Sequence, residues 1–140
     1  CSSDLGLYDV RPYQTEDKPF IMASFLRGLY YGEFFWNNIP KDIFMNNYKH
    51  LIENMLTSPN VSVQVACMKE QPDTIIGYSI LSADYQTIHW VYVKNRFRNG
   101  GIGRALIPKY ATAYTHLTKL GTQLKHKVPT AIFNPFKINL

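Results

Sequence analysis

Between Thr87 and Leu106 the sequence gathers His89, three arginines (Arg96, Arg98, Arg104) and three glycines (Gly100, Gly101, Gly103) in a single run. It begins with β-branched and aromatic residues in a strand pattern, passes through a short basic turn and enters an apolar helical pattern at the glycines. This order suits an anion. Glycines let backbone N–H groups approach a ligand closely, a helix start adds partial positive charge, and the arginines add full charges. The fitting guest is a phosphate or pyrophosphate. His89 is the one group here whose ordinary pKa suits proton transfer near neutral pH.

Two familiar phosphate sites do not match. A P-loop needs Lys-Ser or Lys-Thr after its glycines, and neither follows. A dinucleotide fold opens a βαβ unit with Gly-x-Gly-x-x-Gly and places an acid about 20 residues on. Here the glycine order is reversed, and Leu120 to Lys125 carry no acid. What the run does contain is Arg-x-x-Gly-x-Gly, from Arg98, Gly101 and Gly103, with Val93 five residues earlier and the apolar helix continuing through Leu106 and Ile107. This resembles the acyl-CoA motif of the GNAT superfamily of N-acyltransferases. The opening of the chain, Val10-Arg11-Pro12 followed by Thr15-Glu16-Asp17, is similar to the start of many GNAT domains.

The resemblance implies acetyl-CoA or another acyl-CoA as co-substrate, without a metal, and an amine acceptor that is a small molecule or a protein. It places the pyrophosphate on the amides of Asn99, Gly100, Gly101, Ile102, Gly103 and Arg104, with the Arg98 and Arg104 side chains nearby. The pantetheine and acyl carbonyl would meet the backbone of Tyr92 and Val93, and Asn134 falls where such proteins often have a cofactor-contacting asparagine. His89 shares one strand face with Val91 and Val93 by the period of two. Its spacing to Arg98 resembles that of a histidine on the proton path of arylalkylamine N-acetyltransferases, so His89 is the expected base. A packed structural histidine is the competing reading, and Asp84, Glu33 and Asp42 are alternative bases acting through water. The segment Tyr31, Glu33, Phe34 and Trp36 would border the acceptor, with Glu33 facing a cationic amine, although dense aromatics also fill cores.

The elements expected to position these groups form an α+β fold, a mixed and mostly antiparallel sheet flanked by helices. A first strand spans Leu7 to Arg11. Thr15 to Asp17 cap a helix that runs to about Tyr31, and a second helix spans Lys41 to Thr57. Alternating Val61, Val63 and Val65 begin a strand to Met68, which pairs as a hairpin with Ile75 to Ser82 and then with Thr87 to Val93. A helix is expected from Gly101 to about Leu120, kinked at Pro108, before a last strand at Val128 to Phe133. GNAT domains usually continue with a further helix and two strands, and that helix often carries the tyrosine that protonates the CoA thiolate. No tyrosine follows Tyr114, so the general acid is unassigned. The last strand then has an uncovered edge, which a truncation, a shortened fold or a second copy of the chain would explain.

Length and composition set the remaining bounds. The 140 residues make one domain, 1–140, with 46% hydrophobic residues for a core. No apolar run reaches the roughly 18 residues of a membrane span, and a reduced, cytoplasmic setting is expected. The +5 net charge is concentrated in the second half and suits polyanionic CoA as well as nucleic acid. With the motif included, nucleic acid is the less fitting partner. Cys1 and Cys67 form no metal spacing, and Cys67 reads as a buried thiol. His50, His116 and His126 have no partner spacing for a metal. The leading function is acetyl transfer from acetyl-CoA to a primary amine; the alternative is a non-catalytic binding or structural protein with the same fold.

Overall fold

The computed structural model describes residues 8–32, 38–94, 97, 102–108, 111–115 and 132–134, with Gly32, Arg104 and Phe133 described by backbone alone. In chain order these form β1 (Tyr8–Pro12), a 3-10 turn (Thr15–Asp17), α1 (Lys18–Gly32), α2 (Lys41–Thr57), β2 (Val61–Met68), β3 (Ile75–Ser82), β4 (Thr87–Val93), α3 (Ile102–Leu106), β5 (Ala113–Tyr114) and β6 (Ile132–Phe133). The strands make one sheet in the order β1-β2-β3-β4-β5-β6. Each of the first four is antiparallel to its neighbour, and β4, β5 and β6 are parallel. The mixed, mostly antiparallel sheet is therefore as the sequence suggests.

Both faces of the sheet are covered. The i, i+4, i+8 residues Ile21, Phe25 and Leu29 of α1 are completely buried and, with Phe44, Ile52 and Met55 of α2, pack on Val65, Tyr78, Ile80 and Trp90. Each such burial contributes about 1.5–3 kcal/mol. The opposite face holds Ala66, Ile76 and Val93 against Ile102 and Leu106 of α3. Covered on both sides, β3 reads as the nearly unbroken apolar run Ile-Ile-Gly-Tyr-Ser-Ile-Leu.

Polar contacts tie the helical layer to the sheet. The Arg11 guanidinium donates to both oxygens of Asp17 at 2.7 and 2.8 Å, and the Gln14 N–H donates to the same carboxylate at 2.8 Å. Asp17 is only 3% exposed, so the opening Arg-Pro…Asp pattern is a clamp between β1 and the entry to α1. The helix start is held by Gln14 and Asp17 rather than by Thr15, with the Asp17 N–H also donating to the Gln14 carbonyl at 2.9 Å. The Tyr78 hydroxyl lies 2.8 Å from Ser24 Oγ and 3.2 Å from the Ile21 carbonyl, which pins β3 to α1.

The region after the glycines departs from expectation. The helix expected to reach Leu120 ends at Leu106, because Ile107 bends and Pro108 has no N–H to continue it. Ala113 and Tyr114, expected inside that helix, instead add a short strand to β4. The last strand, β6, pairs with β5. At the first edge, β1 extends through Pro12, an outer-strand position where the missing donor is tolerated.

Candidate acyl-transfer site

The site is built around β4, and its geometry follows from its register with β3. Ile80 faces Trp90 and Leu81 faces Ile88, so two steps on β4 match one on β3 and His89 is the extra residue of a β-bulge. Further along, the Lys94 N–H donates to the Ile76 carbonyl at 2.8 Å. That contact makes 94/76 a hydrogen-bonded pair, and antiparallel alternation then directs the Tyr92 backbone toward β3. The N–H and C=O groups of Val91 and Val93 are directed to the other side of β4. That side is the one from which β5 departs, since among the described residues β5 pairs with β4 only at Thr87 and Ile88.

His89, Val91 and Val93 all lie on the α3 side of the sheet. Val93 packs with Ile102 and Leu106, Val91 joins Ile107 and Tyr114, and His89 Nδ1 lies 3.2 Å from the Thr115 hydroxyl. His89 is 1% exposed, and burial lowers its pKa to about 4. It is therefore neutral at physiological pH, able to accept a proton but a weak base. Thr115 was not singled out in the sequence, because its position depends on β5, a strand whose residues carry a helical pattern.

Tyr92 presents its ring to the helical layer, 6.0 Å from Phe20 and 5.5 Å from Tyr78. Where β4 ends, the Lys94 ammonium sits 5.1 Å from the centre of the Phe20 ring, in a cleft of about 900 Å³ also bordered by Arg11 and Asp73. Ile102 is buried and Gly103 half-buried at the start of α3. Arg98, Asn99, Gly100 and Gly101 lie outside the described residues, as does the Arg104 side chain. Gly77, beneath this junction, has its role in close approach: a Cβ there would meet the Tyr92 carbonyl oxygen at 2.7 Å.

Other candidates fall elsewhere. Asn134 follows β6, and its N–H donates to the Tyr114 carbonyl at 2.8 Å, so a strand separates it from β4. Asp84 caps its own turn, accepting from Ser82 Oγ at 2.6 Å and the Gln86 N–H at 3.0 Å. Asp42 is exposed in the first turn of α2. Tyr31 is 61% exposed at the end of α1, while Glu33, Phe34, Trp36, His116 and His126 lie outside the described residues. Cys67 is a buried free thiol. Among the described residues no three His, Cys, Asp or Glu side chains gather as metal ligands, and no helix is long and apolar enough to cross a membrane.

Comparison with known proteins bears on this arrangement. Residues 25–126 match the model of the acetyltransferase (GNAT) family. A Pyrococcus furiosus protein assigned as an acetyl transferase has a similar structure, with a TM-score of 0.58 at 16% identity over 95% of this chain and 83% of that one. YjaB from Escherichia coli, solved in its apo form, gives a TM-score of 0.46 at 19% identity, covering 71% of this chain and 61% of that one. The yncA protein from Salmonella typhimurium, assigned as an acetyltransferase and solved with its cofactor acetyl-CoA, gives 0.44 at 16% identity, with coverages of 71% and 58%. The chain thus spans less than two thirds of the length of YjaB and of the yncA protein. None of the curated proteins matches the sequence.

Proposed function

Because the chain belongs to the GNAT acetyltransferase family, we propose that it moves an acetyl group from acetyl-CoA to a primary amine. The observation that carries this reading is the β4 edge, where a bulge at His89 is followed by Val91 and Val93 with their backbone groups turned to the side that β5 leaves. Those groups run toward the Arg98, Gly101 and Gly103 motif, which directly follows the strand.

In this reading the motif amides and arginines hold the pyrophosphate, and the Val91 backbone aligns the pantetheine as an added strand would be aligned. The amine nitrogen attacks the thioester carbonyl carbon, the C–S bond breaks, and the CoA thiolate leaves. An N–H donor at the carbonyl oxygen stabilises the charge that develops there. The proton lost by the amine passes to His89. With a pKa of about 4, His89 holds that proton only briefly and passes it on to solvent. Thr115 orients the ring through Nδ1. Tyr31 borders the acceptor.

The test is turnover of acetyl-CoA with a panel of primary amines, comparing wild type with His89→Ala. Acetylated amine from wild type, with kcat reduced about 100-fold or more in the variant, supports the reading. Tight acetyl-CoA binding without transfer to any amine would favour the non-catalytic alternative.

A further inference from the structure

Beside the bulge at His89, the pairing of β4 with β5 is carried one step further by side chains. The Thr112 and Ala113 N–H groups both donate to the Gln86 carbonyl, at 2.7 and 3.2 Å, and Thr87 and Ile88 pair with Ala113 and Tyr114. The Thr115 N–H then donates to the Ile88 carbonyl at 3.0 Å, which fixes the backbone of the residue that follows β5. The next step along both segments is His89 and Thr115, and there the contact is between side chains, Nδ1 to Oγ1 at 3.2 Å. His89 is 1% exposed and Thr115 3%, and the residues before them, Ile88 and Tyr114, share a buried apolar cluster with Leu81, Ile107 and Ala111. In such surroundings a hydrogen bond is strong and a mismatched one is costly.

Burial keeps the ring neutral at physiological pH, with a pKa of about 4, so one nitrogen carries a hydrogen and the other a lone pair. A threonine hydroxyl can donate to a lone pair or accept from an N–H, so the contact itself fits either tautomer. The chemistry chooses between them. A proton leaving an amine needs a lone pair to receive it, Nδ1 is turned to Thr115, and Nε2 lies on the far side of the ring. Nε2 has its lone pair only when Nδ1 carries the hydrogen.

We propose that Thr115 is a positioning residue that accepts a hydrogen bond from His89 Nδ1–H and so fixes Nε2 as the nitrogen that receives the amine proton. The inference rests on the acetyltransferase reading for the use made of Nε2, but the direction of the bond is a property of the free protein. When Nε2 is protonated, Nδ1–H stays on Oγ1, so the ring takes up and gives up its proton without turning. The hydroxyl is itself set by the backbone bond from Thr115 to Ile88 and by the stiff χ1 of a β-branched side chain, which makes the base depend on how β5 docks on β4. A histidine in water favours the Nε2–H form, so the assigned tautomer is one that the fold must impose.

Two measurements test this. In the first, proton–nitrogen correlation NMR of the free protein at physiological pH reads which ring nitrogen carries the hydrogen, with His89 assigned by the loss of its signals in His89→Gln. Hydrogen on Nδ1 is expected in wild type and in Thr115→Ser, which keeps the hydroxyl, and a shift toward Nε2 in Thr115→Val, which replaces it by a methyl of similar shape. Hydrogen on Nε2 in wild type, or an unchanged pattern in Thr115→Val, overturns the proposal; the wild-type reading stands by itself should Thr115→Val fold poorly. In the second, Thr115→Val is expected to lower kcat about 10-fold or more with KM for acetyl-CoA unchanged, Thr115→Ser to recover most of that loss, and Thr115→Val to add nothing in a His89→Gln background. An undiminished kcat in Thr115→Val, or a further loss in the His89→Gln background, overturns the positioning role. Hydrogen on Nδ1 in a wild type that acetylates no amine upholds the direction of the bond and marks failure of the acetyltransferase reading alone.

Discussion

His89 shows how environment changes what a residue type implies. The ordinary histidine pKa made it a natural base in the sequence, but the β-bulge places it 1% exposed on the α3 side of the sheet with a pKa of about 4. If it accepts the amine proton, the acid limb of kcat/KM falls below pH 5 instead of at 6–7, and His89→Gln removes that limb. A limb near pH 6.5 that survives in His89→Gln would assign the proton to another group. The sign of the stability effect follows from the lowered pKa. Above pH 6.5 both folded and unfolded states carry a neutral ring; between 6.5 and about 4 only the unfolded state binds the proton, which costs the fold up to about 3 kcal/mol. Asp17 acts in the same direction. Burial alone would raise its pKa, but the bonds from Arg11 and the Gln14 amide outweigh that and hold it below the usual range. Its contribution is present above the ordinary aspartate pKa and is lost as pH falls through the lowered one. Asp17→Asn, which leaves the Arg11 charge without its partner, should cost about 3 kcal/mol in urea unfolding at pH 7.

At the scale of elements, α2 and strands β2, β3 and β4 fall on the residues that periodicity indicated, because each buries a face against one layer and the pattern is local. The bulge at His89 is different: it arises from how β3 and β4 register, and nothing within β4 alone announces it. Likewise, Ala113 and Tyr114 lie in a helical pattern, yet parallel pairing with β4 makes them a strand and brings Thr115 to His89. Pro108 was read as a kink but follows the end of the helix. The family was thus legible as a motif, whose residues Arg98 to Gly101 lie outside the described structure, while the contact of Thr115 with His89 depended on tertiary pairing. Two substitutions probe the packing of β3 and its turn. Gly77→Ala would place a methyl 2.7 Å from a backbone carbonyl and should cost about 2 kcal/mol or more. Tyr85, whose φ is +61° in the turn before β4, should stabilise the protein by about 1 kcal/mol when replaced by glycine. Thermal unfolding measures both, and a neutral Gly77→Ala would contradict the close approach of β3 and β4.

For the whole molecule, a sheet covered on both faces holds β4 between two cores, with α1 fixed on one side and α3 on the other. The proposed acyl-CoA site lies beside that strand and in the motif that follows it in sequence, so the proposal pairs a firm central scaffold with a cofactor surface made by backbone. On this proposal the second-half positive charge serves the polyanionic co-substrate. Isothermal titration of acetyl-CoA into wild type and Gly101→Glu tests this most directly, because the substitution adds bulk and negative charge to the proposed phosphate-binding motif. The prediction is one-to-one binding by wild type, weakened at least 10-fold in Gly101→Glu with the thermal unfolding midpoint of the free protein preserved. Absence of binding by wild type, or equal binding by both proteins, would contradict it.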